Sequence, residues 1–188
     1  VESLKPAADH FTQEPEESSR RVAAAGGLGM GGSNSPSAVK LNLRNRYRLQ
    51  TLVINGAECE PYLTCDDRLM RECPDEVLTG VRLMARALGV EEVLIAIEDN
   101  KPEAQQAMRS EAESHPQVTV VGLPARYPMG SEKLLVQALA GTETPARGLT
   151  ADIGVVVHNV ATALAVHDAV CLGQPVISRV VTVTGGAI

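Results

Sequence analysis

Apolar positions along the chain switch repeatedly between two periods. Residues 51–55, 92–97, 118–121 and 153–157 are short, nearly unbroken apolar runs bounded by polar or turn residues, the pattern of strands buried on both faces. Between the first two, Val77, Leu78, Val81, Met84 and Leu88 recur at helical spacing and lay one apolar stripe along a helix that Gly89 ends. Lys101-Pro102 opens the next helix with proline in its first turn. Residues 130–139 form another that Gly141 ends, and Asn159 caps a last one from Val160 to about Leu172. Upstream, Thr12 is the expected N-cap of a short helix with Pro15 near its start, running to Ala25. Gly26 and Gly27 break it, and residues 26–37 read as glycine-rich, then polar, loop. Residues 179–184 make a further strand-like run.

Strands alternating with helices, and strands that do not themselves alternate, predict an α/β fold. The expected architecture is a Rossmann-like, mainly parallel sheet with helices on both faces. A short N-terminal arm (1–13) precedes a single domain (14–188). Its 188 residues suffice for one core, and 44% hydrophobic with 21% charged residues is a globular balance. With one Phe, three Tyr and no Trp, aliphatic side chains must carry that core. The chain starts at Val1 rather than Met and stops just after the strand-like run, so it is expected to be part of something longer.

A net charge of -6 and the lack of a basic stripe argue against nucleic-acid binding. No apolar run approaches the ~20 residues of a membrane-spanning helix, so no membrane insertion by this chain is expected. Cys59, Cys65, Cys73 and Cys171 fit neither zinc pairs nor an iron-sulfur run, and are read as free thiols with no metal.

Ligands of open α/β sheets bind beyond the carboxyl ends of the strands, which directs attention to three loops. Gly26, Gly27, Gly29, Gly31 and Gly32, with Lys40 downstream, form either a phosphate cradle with its counter-charge or a flexible linker. Asn55-Gly56-Ala57-Glu58-Cys59-Glu60-Pro61 brings two carboxylates to a strand end, where they face a ligand or form a solvated turn. Asn159, beside His158, is read as a plain helix cap. Asp66-Asp67 reads as the start of a helix, without chemistry.

Residues 55–64, followed by Asp66-Asp67-Arg68-Leu69-Met70-Arg71-Glu72, closely resemble the C subunit of the Rnf ion-translocating electron-transport complex. Ile97-Glu98-Asp99-Asn100-Lys101-Pro102 and Asn159-Val160-Ala161-Thr162 do so too. The likeness covers about residues 15–188, and extends more distantly to the FMN-carrying subunit of respiratory complex I, whose loop reads NADESEP. The resemblance implies FMN and NAD(H) as cofactors and hydride transfer from NADH to flavin. Electrons would then pass to iron-sulfur clusters outside this chain. Gly29, Gly31, Gly32 and Lys40 would line the FMN phosphate and ring edge, with Asn55, Glu58 and Glu60 at the flavin and nicotinamide rings. Tyr127 and Gly130 would complete the flavin pocket, with Asn159 and Thr162 near the phosphate. The other subunits of the membrane complex would be partners, at the cytoplasmic side of a bacterial inner membrane. One departure stands out: the family's GGAGFPT or GGATFPT here reads Gly31-Gly32-Ser33-Asn34-Ser35-Pro36-Ser37, with serine in place of phenylalanine. Two other readings share the fold: a cobalamin reductase-type flavoprotein module, and a nucleotide-binding or assembly domain without redox activity.

Overall fold

A computed structural model describes residue 6 and residues 10–31 and 35–185; most of the expected arm, and Gly32, lie outside them. Four strands, β1 (Thr51–Gly56), β2 (Glu92–Glu98), β3 (Val118–Leu123) and β4 (Val155–Asn159), form one wholly parallel sheet in the order β3-β2-β1-β4. Among the described residues seven helices accompany them: α1 (Pro15–Ala24), α2 (Ser37–Leu41), α3 (Cys65–Glu72), α4 (Pro74–Leu88), α5 (Pro102–Ala112), α6 (Glu132–Ala140) and α7 (Val160–His167). The expected α/β class holds.

Each apolar strand run divides its side chains between the two faces, two residues per repeat. Leu52, Ile54, Val93, Ile95, Ile97 and Val156 pack against α1, α3, α4, α5 and α7 in the larger core layer. Val53, Ala96, Val155 and Val157 face the other way, onto Leu135 and Val136 of α6. Helices cover both faces, unequally. On the thicker side α4 and α7 approach so closely that a Cβ on Gly80 would collide with the Ala163 carbonyl oxygen.

Several boundaries move. The first helix begins at Pro15 behind Glu14, and Thr12 is not its cap. The loop expected through Ser37 ends one residue earlier, since α2 begins at Ser37. Ile153 belongs to a 3-10 turn (Thr150–Ile153), and only the left-handed Gly154 (φ 79°) lets the chain enter β4. The last helix does reach Leu172, but its final turn widens into a π-helix from Asp168. The strand expected at 179–184 is absent: this segment pairs with no strand among the described residues. Side chains tie it down instead, Arg179 donating to the Met30 carbonyl (2.8 Å) and Thr182 Oγ1 accepting the Thr64 N–H (2.9 Å).

The order of strands fixes where a ligand can sit. From β1 the chain moves outward through β2 to β3, then returns to place β4 on the opposite side of β1. The crevice at this reversal opens between the carboxyl ends of β1 and β4, where Asn55 stands level with Asn159.

Candidate functional site

A cavity of about 380 Å³ occupies that crevice. It is lined by Gly29, Gly31, Lys40, Asn55, Glu60, Tyr127, Gly130, Asn159 and Thr162, which are nine of the eleven residues expected from sequence. Gly32 lies outside the described residues. Glu58 does not line it.

Each wall is held by bonds that its own sequence supplies. On the β1 side, Asn55 Oδ1 accepts the Ala57 N–H (3.1 Å) and its Nδ2 donates to the Gly130 carbonyl (2.8 Å). That second bond draws the segment after β3 across to β1, bringing Tyr127 and Gly130 with it. Gly130 also donates its N–H to Cys59 Sγ (3.3 Å), and a Cβ there would lie 2.9 Å from that sulfur. Burial foremost pushes the Cys59 thiol up, with Glu60 and Glu98 adding to the effect, so it stays protonated.

Glu58 adopts a left-handed conformation (φ 47°), which disfavours side-chain-bearing residues by about 1–2 kcal/mol. Its buried carboxylate then accepts the N–H groups of Asp66 (2.8 Å) and Asp67 (3.2 Å), capping α3 in place of Thr64, whose side chain makes no cap bond. Of the two carboxylates, only Glu60 reaches the main cavity. Lys101, just ahead of α5, pins the same loop, donating to the carbonyls of Ala57 (3.0 Å) and Glu58 (3.4 Å) while paired with buried Glu98 (3.5 Å).

On the β4 side, Asn159 caps α7 by accepting the Ala161 N–H (2.8 Å), as expected. It does more. Its Nδ2 donates to Asp66 Oδ2 (2.6 Å) and to the Asn55 carbonyl (3.4 Å), so it locks α3, β1 and α7 together. Thr162 Oγ1 accepts the Met30 N–H (2.9 Å), which fastens the glycine loop over the opening. Gly31 passes so close to Asn159 that a Cβ would stand 3.2 Å from the asparagine Cβ. Lys40 Nζ donates to Glu132 Oε2 (3.2 Å) and to the Val157 carbonyl (3.1 Å).

Asp66, given no chemistry on sequence grounds, borders an adjoining recess of about 290 Å³ together with Glu58, Cys65 and Arg179. Burial raises its carboxyl from 3.8 to about 6; the Asn159 bond pulls down and Glu58 pushes up. Nothing in a DD pair in the first turn of a helix distinguishes a buried aspartate from an exposed one, so sequence had no signal for it. His158 was passed over for a similar reason. It is buried at the end of β4, with its imidazole lowered from 6.5 to about 3 by burial and by the Lys40 ammonium. It lines the cavity and is neutral.

A glycine-edged cavity at the reversal point of a parallel sheet, beside the start of a capped helix, is a nucleotide-site architecture. Comparison with known proteins agrees. The family described as the Nuo51 FMN-binding domain matches residues 22–168, and the chain belongs to that family. More particularly, it is similar to the C subunit of the ion-translocating oxidoreductase complex of Rhodobacter capsulatus, with 61% identity over 93% of this chain and 34% of that one. The corresponding C subunit from Pseudomonas aeruginosa is 49% identical over 98% of this chain and 24% of its own. The C subunit of a proton-translocating ferredoxin:NAD(+) oxidoreductase complex from Clostridium ljungdahlii is 48% identical over 89% and 36%. The chain thus spans about a third or less of these relatives. A chain of an NAD+-reducing [NiFe]-hydrogenase superposes with a TM-score of 0.69 at 25% identity, covering 82% of this chain and 30% of that one. The resemblance to the Rnf C subunit read from the sequence is borne out.

Proposed function

We propose that this chain is the FMN-binding, NADH-oxidising domain of an Rnf-type electron-transport complex. The observation that carries this reading is the convergence of nine sequence-expected residues on one cavity at the β1/β4 crevice. The cavity is also within the range of small-molecule sites, roughly 300–1,000 Å³. Its two close approaches, Gly31 on Asn159 and Gly130 on Cys59, leave no room for side chains where a flat ring system would slide in.

Bound flavin would supply the hydride-accepting centre. The chain's own residues bind and orient. Lys40 and the first N–H groups of α7 favour an anion at one end of the cavity. Glu60 and Tyr127 stand on its exposed lip, where a second, nicotinamide ring could be held face to face with the first. Glu58 sets the loop that presents Glu60, acting through α3 and not on a substrate. Electrons would leave through iron-sulfur clusters beyond this chain, and the membrane-bound subunits would be its partners.

The decisive experiment is a titration of the protein with FMN, followed by flavin fluorescence, and then addition of NADH without air. Tight binding with bleaching of the flavin is the expected result; no binding, or binding without bleaching, rejects the reading. Lys40→Ala should weaken FMN retention roughly tenfold or more, as loss of a charge-assisted hydrogen bond does. Glu60→Gln should slow NADH-driven bleaching while leaving FMN affinity nearly unchanged. Equal effects on both would move Glu60 to another role.

A further inference from the structure

The polar turn that follows β2 lines no part of the crevice cavity, yet it grips both loops of the exposed lip. β2 lies between β1 and β3, and the segments leaving those two strands carry Glu60 and Tyr127. Backbone pairing ends with Gly56 beside Ile97 on one side and Leu123 beside Glu98 on the other. Beyond those points neither segment has a strand neighbour among the described residues.

Side chains take over where the ladders stop. Lys101 Nζ donates to the carbonyls of Ala57 (3.0 Å) and Glu58 (3.4 Å), just ahead of Glu60. Asp99 Oδ1 accepts the Ala125 N–H (3.0 Å), two residues before Tyr127, while the Asp99 N–H donates to the Leu123 carbonyl (2.7 Å). The turn itself is anchored to α5, because Gln105 Nε2 donates to the Glu98 carbonyl (3.1 Å) and Arg109 holds Gln105 Oε1 (2.8 Å). Lys101 is 10% exposed and pairs at 3.5 Å with Glu98, 3% exposed, whose Oε1 finds no donor among the described residues. A buried ion pair adds little stability of its own, and apolar side chains would serve a purely structural joint as well. What this pair supplies is an ammonium fixed at the root of the Glu60 loop.

The inner cavity depends on other bonds. Asn55 and Cys59 hold Gly130, and Thr162 holds the glycine loop; none of these runs through residues 98–101. Grip on the lip and grip on the cavity are therefore separable. Resting on the flavin and NADH reading above, we propose that Asp99 and Lys101 are positioning residues, which set the Glu60 and Tyr127 loops across the lip and so govern the capture of NADH without holding FMN.

The test uses the full-length protein loaded with FMN, without air. The half-saturating NADH concentration for flavin bleaching, the FMN affinity and the melting temperature are measured for each variant. Lys101→Met and Asp99→Ala should each raise the half-saturating NADH concentration roughly tenfold or more, as a misplaced positioning group does, with FMN affinity unchanged. Asp99→Asn keeps a side-chain oxygen for the Ala125 N–H and should behave as wild type. In a Glu60→Gln background the loss of Lys101 should add little, since Lys101 acts through Glu60. Should Lys101→Met fold poorly because Glu98 is stranded, Glu98→Gln with Lys101→Met carries the same expectation. A wild-type response to NADH in both variants overturns the proposal. So does a parallel loss of FMN affinity, which would make the turn a general scaffold, or full multiplication of the Lys101 and Glu60 effects. A wild type that binds no FMN, or is not bleached by NADH, rejects the proposed function itself and this inference with it.

Discussion

At the scale of single residues, two buried titratable groups give the site its pH behaviour, and they act in opposite directions. Asp66 has a folded-state pKa near 6, above its ordinary 3.8, so the folded chain holds a proton that the unfolded chain has released. Its contribution is stabilising in acid and is lost as pH rises through about 6. Asp66→Asn should therefore stabilise the protein by roughly 2 kcal/mol at neutral pH, and not at pH 4, in denaturant unfolding. No gain at neutral pH would mean that Asn159 needs the charge. His158 is depressed to about 3, so the unfolded chain takes up a proton below 6.5 that the folded chain refuses. Stability is lost as pH falls through that window, and His158→Leu should flatten the acid limb of the stability curve. The sequence exposed residues that line the cavity, such as Lys40, Asn55 and Glu60, because polar groups at apolar strand ends stand out. It hid those that work from behind the wall. Asp66 and His158 differ from ordinary surface residues only in burial, which depends on packing between distant segments.

At the scale of elements, strands were the most legible, since an apolar run bounded by turns has few other uses. The five-residue α2 was not, being too short to show a period, and glycines and serines around it read as loop. The 179–184 run was misread because β-branched residues favour extended backbone whether or not a neighbouring strand is there to pair. Helix α3 shows a third kind of illegibility: its cap, Glu58, comes from a preceding loop and not from the residue before the helix. Contact between elements yields a sharp prediction at α4 and α7. Gly80→Ala should destabilise by about 3 kcal/mol or more, because the added carbon meets the Ala163 backbone, which cannot step aside. Gly89→Ala, left-handed (φ 68°) but in open space, should lose only about 1–2 kcal/mol. Equal melting-temperature shifts for the two would refute the close approach.

At the scale of the whole molecule, composition and period reached the fold class but not the strand order, because order is set by pairing between segments far apart in the chain. The position of the cavity followed only once β4 was seen beside β1. The four cysteines are free and scattered, and their spacing suits no cluster. Protein of this chain purified alone should contain no stoichiometric iron or acid-labile sulfide, and finding both would place a cluster here after all. None of the helices among the described residues is long and apolar enough to cross a membrane.

The seam between β1 and β4 also dictates timing. It joins residues roughly a hundred positions apart, Thr51 with Val155, and contacts of such separation form late in folding. A ribosome must therefore deliver β4 and α7 before any cofactor can be loaded. Until then the β1 edge stands bare, and the crevice that would receive a flavin nucleotide does not yet exist.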